Sequence, residues 1–350
     1  MKVLITTVFI TSFFNCFLSQ NSNDFPLNQI SILASHNSYK KLPNPKVIKF
    51  LKRYKKRLGA ENDPEQIDYG HDPLEVQLDS FNIRGFELDV NYDPNGGLYS
   101  KRAVNGFVCG LKRKNKHPDL KKPGFKLLHI ADVDYETHYY TLREALKSLK
   151  NWSINHPNHE PLFVNIEAKG FHPGNASKFL RFVGFRQALP FDQKAYEALD
   201  QEILQEIPRY MLFSPSDLKG KYYSVKERLE AIGWPALSEC RGKIFFILEG
   251  NNQEIYNPDG LDRPMFVYSK PGGEHTAFVV RNEPIGKEAE IRDLTARYIV
   301  RTRSDAGTLE ARDNNYTRLE AAKRSGAQII STDYYRADKR ISTFRVKLKN

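Results

Sequence analysis

The sequence predicts an α/β fold, a single TIM-type (β/α)8 barrel with an irregular sixth strand region. Two observations carry this reading. Eight short apolar runs follow one another along the chain, most of them separated by segments whose apolar residues recur at helical spacing. The polar residues that follow the first four runs are His, Asn, Asp and Glu, the types that barrel enzymes carry at the carboxyl ends of their strands. A chain of 350 residues can build one such barrel. No GxGxxG or P-loop pattern follows the first run, so an open doubly wound sheet lacks its usual signature.

The runs are 30–34, 85–90, 125–130, 162–166, 244–248, 265–268 together with 277–280, 298–301 and 328–331. Pro271-Gly272-Gly273 splits the sixth, where a hairpin is expected. Leu142, Ala145, Leu146 and Leu149 form one helical stripe, and Tyr196, Leu199, Ile203 and Leu204 another. Leu319, Ala321 and Ala322 precede Gly326, a helix stop before the last run. Residues 63–78 read as a loop followed by a helix.

The amino terminus differs from the rest. Lys2 precedes an apolar stretch, 3–18, interrupted only by Thr, Ser and Asn, and small polar residues follow. That pattern predicts a secretory signal peptide over 1–20, cleaved near Ser19 or Gln20, and a barrel domain over 21–350. The stretch is too short and too polar for a membrane span. The protein is therefore expected to be secreted and extracellular. Asn151, Asn175 and Asn315 open N-glycosylation sequons, which suits export. Cys16 leaves with the signal, and Cys109 and Cys240 remain either as a disulfide or as two thiols.

The formal net charge is +11. Basic residues cluster at Lys46, Lys49, Lys52, Arg53, Lys55, Lys56 and Arg57, and again at Lys112, Arg113, Lys114 and Lys116. Such clusters attract anionic partners, of which a membrane surface fits an exported protein best. No nucleic-acid motif is present, and no nucleic-acid partner is expected.

The chemistry concentrates after the first four runs, at Ser35-His36-Asn37, Glu87-Leu88-Asp89, His129 and Glu167-Ala168-Lys169. Glu87 and Asp89 are two apart, so a strand points both the same way. Two carboxylates in one small space repel unless a cation joins them. With Asn37 and Glu167 they make an oxygen-rich set that suits Ca²⁺ or Mg²⁺ better than Zn²⁺. The competing reading is a salt-bridge network with Arg84 and Lys169. His36 and His129, beside such a set, suit acid–base work near neutral pH. Asp132 and Asp134 are rival ligands beyond the third run.

His-Asn after the first run, Glu-x-Asp on the second, His on the third and Glu on the fourth resemble the constellation of phosphoinositide-specific phospholipases C. The phrases Ala34-Ser-His-Asn-Ser-Tyr, Phe86-Glu-Leu-Asp-Val, Tyr298-Ile-Val-Arg-Thr-Arg-Ser-Asp and Gly326-Ala-Gln-Ile-Ile-Ser-Thr-Asp are similar to the calcium-dependent bacterial and fungal branch. The resemblance spans about 30–335 and leaves out the inserts at 46–63 and 112–122. It implies His36 and His129 as catalytic residues, Asn37, Glu87, Asp89 and Glu167 as Ca²⁺ ligands, and Lys169, Arg301 and Arg303 as phosphate or inositol contacts. Asp305 and Asp333 would orient those cations. The implied enzyme is a monomeric phosphodiesterase acting on a phosphoinositide or related phosphodiester, and it visits the anionic membrane only peripherally. The nearest alternatives are glycerophosphodiester phosphodiesterases and sphingomyelinase D-like enzymes. The former usually show His-Arg-Gly where this chain has His36-Asn37-Ser38. A barrel that binds lipid or glycan without turnover is a third reading, and the intact His, Asn and carboxylate set speaks against it.

Overall fold

A computed structural model describes residues 24–59, 62–250, 253–257 and 262–348. The expected signal segment and Cys16 lie outside the described residues. Nine strands form one sheet: β1 (Ile32–Ser35), β2 (Ile83–Asp93), β3 (Gly124–Leu127), β4 (Leu162–Ala168), β5 (Ile244–Gly250), β6 (Met265–Val267), β7 (Phe278–Val280), β8 (Ile299–Arg303) and β9 (Ile329–Thr332). Eight of them run parallel in the order β6-β5-β4-β2-β1-β9-β8-β7 and curl into a barrel. One seam is left unsealed. β6 and β7 are three residues each, and between them there is only a single bridge, Tyr268 to Phe278.

Two strand expectations are corrected. The run at 125–130 is not a barrel strand. β2 is 11 residues long and overshoots the rim, and β3 folds back antiparallel on the overshoot, with Val90 opposite Leu127 and Asp93 opposite Gly124. The sixth region holds two barrel strands rather than a hairpin. Its halves, β6 and β7, each pair in parallel with a different neighbour. The count of eight therefore holds with different members.

The helices follow in chain order as α1 (Pro45–Lys52), α2 (Lys55–Leu58), α3 (Leu74–Phe81), α4 (Leu142–Asn155), α5 (Pro173–Ala176), α6 (Lys178–Phe182), α7 (Gln193–Glu206), α8 (Pro215–Lys219), α9 (Val225–Ile232), α10 (Leu237–Cys240), α11 (Glu288–Thr295), α12 (Leu309–Arg312) and α13 (Thr317–Ser325). α4 starts at a capping box between Thr141 and Glu144 and buries Leu142, Ala145, Leu146 and Leu149, as its spacing predicts. α7 buries Tyr196, Leu199 and Ile203, but Leu204 faces solvent. α13 ends at Gly326, whose φ of 73° is left-handed and costs glycine nothing. None of the described helices is long and apolar enough to cross a membrane. Cys109 is exposed and Cys240 buried, and both are free thiols.

The inward faces of the strands explain where chemistry can sit. Read at a period of two, they run Ile32, Ala34, His36; Phe163, Asn165, Glu167; Phe245, Ile247, Glu249; and Ile299, Arg301, Arg303. The apolar members pack together inside the barrel. The polar members all fall at the carboxyl ends. Gly85 sits where a Cβ would come within 2.5 Å of the Ala34 Cβ, so only glycine lets β1 and β2 approach there.

Candidate functional site

Past Ser35 the chain leaves β1 through Asn37, which takes a left-handed φ of 51°. Asparagine tolerates that region better than most residues. Ser38 anchors the turn: its N–H donates to Glu87 O at 2.9 Å, and its hydroxyl accepts from Glu87 N–H at 2.8 Å.

His36 and Asp333 each lie one residue beyond a paired position, Ser35 opposite Thr332. His36 Nδ1 is 2.7 Å from Asp333 Oδ1. Burial pushes the Asp333 carboxyl up, but His36 and Arg303 outweigh it and hold it well below the usual range. A carboxylate only accepts, so Nδ1 donates. Nε2 is left 3.4 Å from Glu87 Oε1 and 3.4 Å from an Arg303 nitrogen.

His129 arrives by a different route. Because β3 is antiparallel to β2, its carboxyl end returns to the barrel rim. His129 Nδ1 lies 2.9 Å from Asp134 Oδ2, and Lys40 Nζ lies 3.2 Å from the same oxygen. Burial lowers the proton affinity of His129, and Asp134 opposes that shift without cancelling it. Asp134 is thus tied to a histidine and a lysine. Asp132 pins two loops, accepting from Ala103 N–H at 2.8 Å and Arg186 N–H at 2.6 Å. Neither rival carboxylate lies with the acidic cluster.

That cluster is Glu87, Asp89 and Glu167, which offer carboxylate oxygens all within 4.8 Å of one another. Asp89 is paired in register with Glu167, which brings them level. Burial pushes Glu87 up, but Arg301, His36 and Arg303 hold it at about 2. Asp89 is pushed well above the carboxylate range by burial, with Glu167 and Glu87 adding to the rise against Lys169. Lys169 Nζ sits 3.0 Å from Asp89 and 2.7 Å from Glu167. Burial would favour its neutral form, yet these two carboxylates raise its proton affinity above that of an ordinary lysine. Half of the salt-bridge reading therefore holds. Arg84 does not join it and pairs with Glu160 at 3.5 Å.

Asn37 tests whether a cation fits. One end of its amide is 2.8 Å from the Tyr69 hydroxyl, and the other is 3.0 and 3.2 Å from the two Asp89 oxygens. With the NH₂ on Tyr69, a carbonyl faces a carboxylate, acceptor against acceptor. A cation between them removes that conflict, and so does rotation of the amide. An all-oxygen set of this kind, with clustered buried carboxylates, fits Ca²⁺.

The three basic candidates separate. Arg301 donates to Glu87, lies 3.5 Å from Glu249 and 3.3 Å from Ser331 Oγ, and so is committed to the strand ends. Lys169 is committed to the cluster. Arg303 donates to Asp333 at 3.1 Å, and its buried Nε has no partner among the described residues. Asp333 orients both Arg303 and His36. Asp305 instead accepts from Ser304 and Thr332 hydroxyls and from Asp333 N–H at 2.8 Å, shaping the end of β9.

Sequence reading missed Glu249 and Tyr69. Glu249 is one residue past the fifth apolar run, level with Glu167, and accepts from Asn165 at 3.1 Å. The strand-end rule applied to that run finds it. Tyr69, with its hydroxyl 3.1 Å from His36 Nδ1, lies on a loop and has no such signal.

His36, His129, Arg303 and Asp333 form the floor of one cavity of about 1060 Å³. The fold is similar to that of the calcium-dependent phosphoinositol-specific phospholipase C of a Gram-negative bacterium, Pseudomonas sp. The apo structure of that protein is 15% identical, with 89% of this chain and 91% of that one covered and a TM-score of 0.50. Its myo-inositol complex is 16% identical, with the same coverage and TM-score. No curated protein matches the chain. Residues 25–350 match the family described as phosphoinositide phospholipase C, Ca²⁺-dependent, and the chain belongs to that family of calcium-dependent phosphodiesterases.

Proposed function

We propose that the chain is a secreted, monomeric phospholipase C that cleaves phosphatidylinositol or a close relative, releasing diacylglycerol and an inositol phosphate. The observation that carries this reading is the pairing of His36 with Asp333 and of His129 with Asp134 on one cavity floor, beside the carboxylate cluster. Asn37, Glu87, Asp89 and Glu167 would hold Ca²⁺, which supplies positive charge to acidify the attacking hydroxyl and offset charge on the phosphoryl oxygens.

The inositol 2-hydroxyl attacks the adjacent phosphorus in line. His36 Nε2 takes its proton, since Asp333 fixes the tautomer that leaves this nitrogen free. Arg303, whose guanidinium lines the cavity beside His36, offsets charge on a phosphoryl oxygen as it builds. His129 protonates the departing glycerol oxygen. Asp134, held on Nδ1, favours the protonated ring and leaves Nε2 to donate. The first product is then a cyclic inositol phosphate, which water opens in a second step.

Phosphorus NMR of phosphatidylinositol hydrolysis, with Ca²⁺ and with chelator, tests this. A cyclic phosphodiester that appears only with Ca²⁺ is expected. Turnover of glycerophosphocholine or sphingomyelin in its place would assign the chain to another phosphodiesterase class.

Export is supported by the amino-terminal pattern and by two sequons, since Asn151 and Asn315 are exposed. Asn175 is engaged, accepting from His172 N–H at 2.9 Å and Ala188 N–H at 2.8 Å. Glycan mapping on secreted protein should find sugar at Asn151 or Asn315 and none at Asn175. Peripheral docking on anionic bilayers is supported by exposed Phe107, Phe179 and Phe182 near the basic segments.

A further inference from the structure

The cavity above the histidines is larger and more apolar than an inositol phosphate needs. Its polar lining is concentrated at the floor and along one edge, near Arg57 and Asp63. Its walls are Phe50 and Leu51 of α1, Leu58 of α2, Val104 and Phe107 of the segment Val104–Phe107, and Leu180 of α6. None of these belongs to a barrel strand. They come from three excursions that leave the carboxyl ends of β1, β2 and β4.

The excursions are fastened to one another. Buried Asp132, with 2% of its surface exposed, accepts from Ala103 N–H on one wall and Arg186 N–H on another. Arg113 donates to Val183 O at 2.9 Å, tying the basic segment to the end of α6. Phe50 and Phe107 stack across the first two walls with ring centroids 6.3 Å apart. A buried carboxylate devoted to two backbone N–H groups marks a constructed chamber rather than a chance gap between loops. A volume of about 1060 Å³ lies at the upper end of small-molecule sites.

The direction of the chamber fixes its occupant. Ile130 and Val133, in the turn that directly follows His129, also line it. A leaving oxygen protonated by His129 would therefore carry its substituent along an apolar surface. Charged groups wait at the floor for the phosphate, and apolar groups face the other way.

We infer that this chamber is a binding site for the acyl part of the diacylglycerol leaving group, so that one lipid molecule is drawn into the protein for cleavage. This rests on the phospholipase C reading for the identity of the ligand. It goes beyond that reading because a docked enzyme could cleave headgroups while both chains stay in the bilayer.

The test uses the full-length mature protein and monomeric diacylglycerols from dibutanoyl to dioctanoyl, titrated by calorimetry without Ca²⁺. These ligands carry no phosphate, so the result is independent of whether the hydrolysis reading stands. Saturable one-to-one binding is expected, tightening about 4-fold for each methylene that enters the walls. Phe50→Asp and Leu180→Asp, on different walls, should each weaken dioctanoylglycerol binding by about 10-fold or more. The wild-type chain-length series needs no variant to fold. Absence of saturable binding, or an affinity indifferent to chain length, would overturn the chamber. Unchanged affinity in both folded wall variants would do the same. If binding follows chain length but no inositol phosphodiester is hydrolysed with Ca²⁺, the lipid site stands and the substrate reading fails.

Discussion

Asp333 Oδ1 lies 2.7 Å from Nδ1 of His36, and Asp333 Oδ2 lies 3.1 Å from Arg303. One carboxylate just past β9 thus sets both the tautomer of a histidine just past β1 and the aim of an arginine on β8. The parallel pairing of β9 with β1 and with β8 makes this possible.

His36→Ala and His129→Ala should each lose about 10²–10⁴-fold in turnover while keeping a native melting profile, the usual scale of acid–base catalysis. Asp333→Asn should lose activity on the same scale. Because it acts through His36, the double variant His36→Ala with Asp333→Asn should be little worse than either single one. Fully additive losses, measured as kcat/KM on phosphatidylinositol, would separate the two residues.

Calcium titration calorimetry should show one site in the wild type. Asp89→Ala should weaken it by about 10-fold or more, since even the loss of a group behind a ligand costs that much. Equal affinity in both proteins would remove Asp89 from the ligand set.

Salt-dependent binding to anionic vesicles should fall when Lys112 and Lys114 are reversed to Glu, each basic residue near such a surface being worth about 1 kcal/mol. Arg113 is a poor choice for this test, because it clamps Val183 O. Hydrolysis of a soluble inositol phosphodiester should be unaffected. Vesicle binding that ignores both salt and anionic lipid would remove electrostatic docking.

Stability should fall between pH 6.5 and about 4. His71 is buried, its Nε2 donates to His36 O at 2.7 Å, and burial lowers its pKa from 6.5 to about 4. Its folded pKa is depressed, so over that window the unfolded chain binds a proton that the native state refuses. The stability is complete above pH 6.5 and lost as pH falls through the folded value. The cost at pH 5 is about 2 kcal/mol. Urea unfolding of His71→Gln should show a shallower drop between pH 7 and pH 5. An unchanged drop would place the dependence on other groups, among them His172, which shifts the same way.

The strand-end motifs were legible because a barrel strand has a period of two and its chemistry gathers at one end. Glu87 and Asp89 on one face follow from that rule alone, whereas the register of β2 with β4 sets Asp89 level with Glu167. The stripe of α4 follows from the period of the helix. Glu249 was within reach of the same rule and lay one residue past the run. The identity of the third run was out of reach. Phe125 and Leu127 look alike whether a strand is a barrel member or a return strand, and only the length of β2 beyond the rim decides it.

Residue type and local periodicity are enough to read off the barrel class and a rim of His, Asn and carboxylate residues past the strands, because both are local properties of the chain. Tertiary structure alone decided which carboxylate serves which partner. Asp333, Asp134 and Asp132 have the same side chain and the same place near a strand end or loop. Their uses diverge because pairing between distant segments sets which donor stands within hydrogen-bonding distance of each. Tertiary structure alone also joined α1, α2, Val104–Phe107 and α6 into one apolar chamber. Those segments come from three separate stretches of chain and share no motif, and the burial that unites them exists only once the strands have curled into a barrel beneath them.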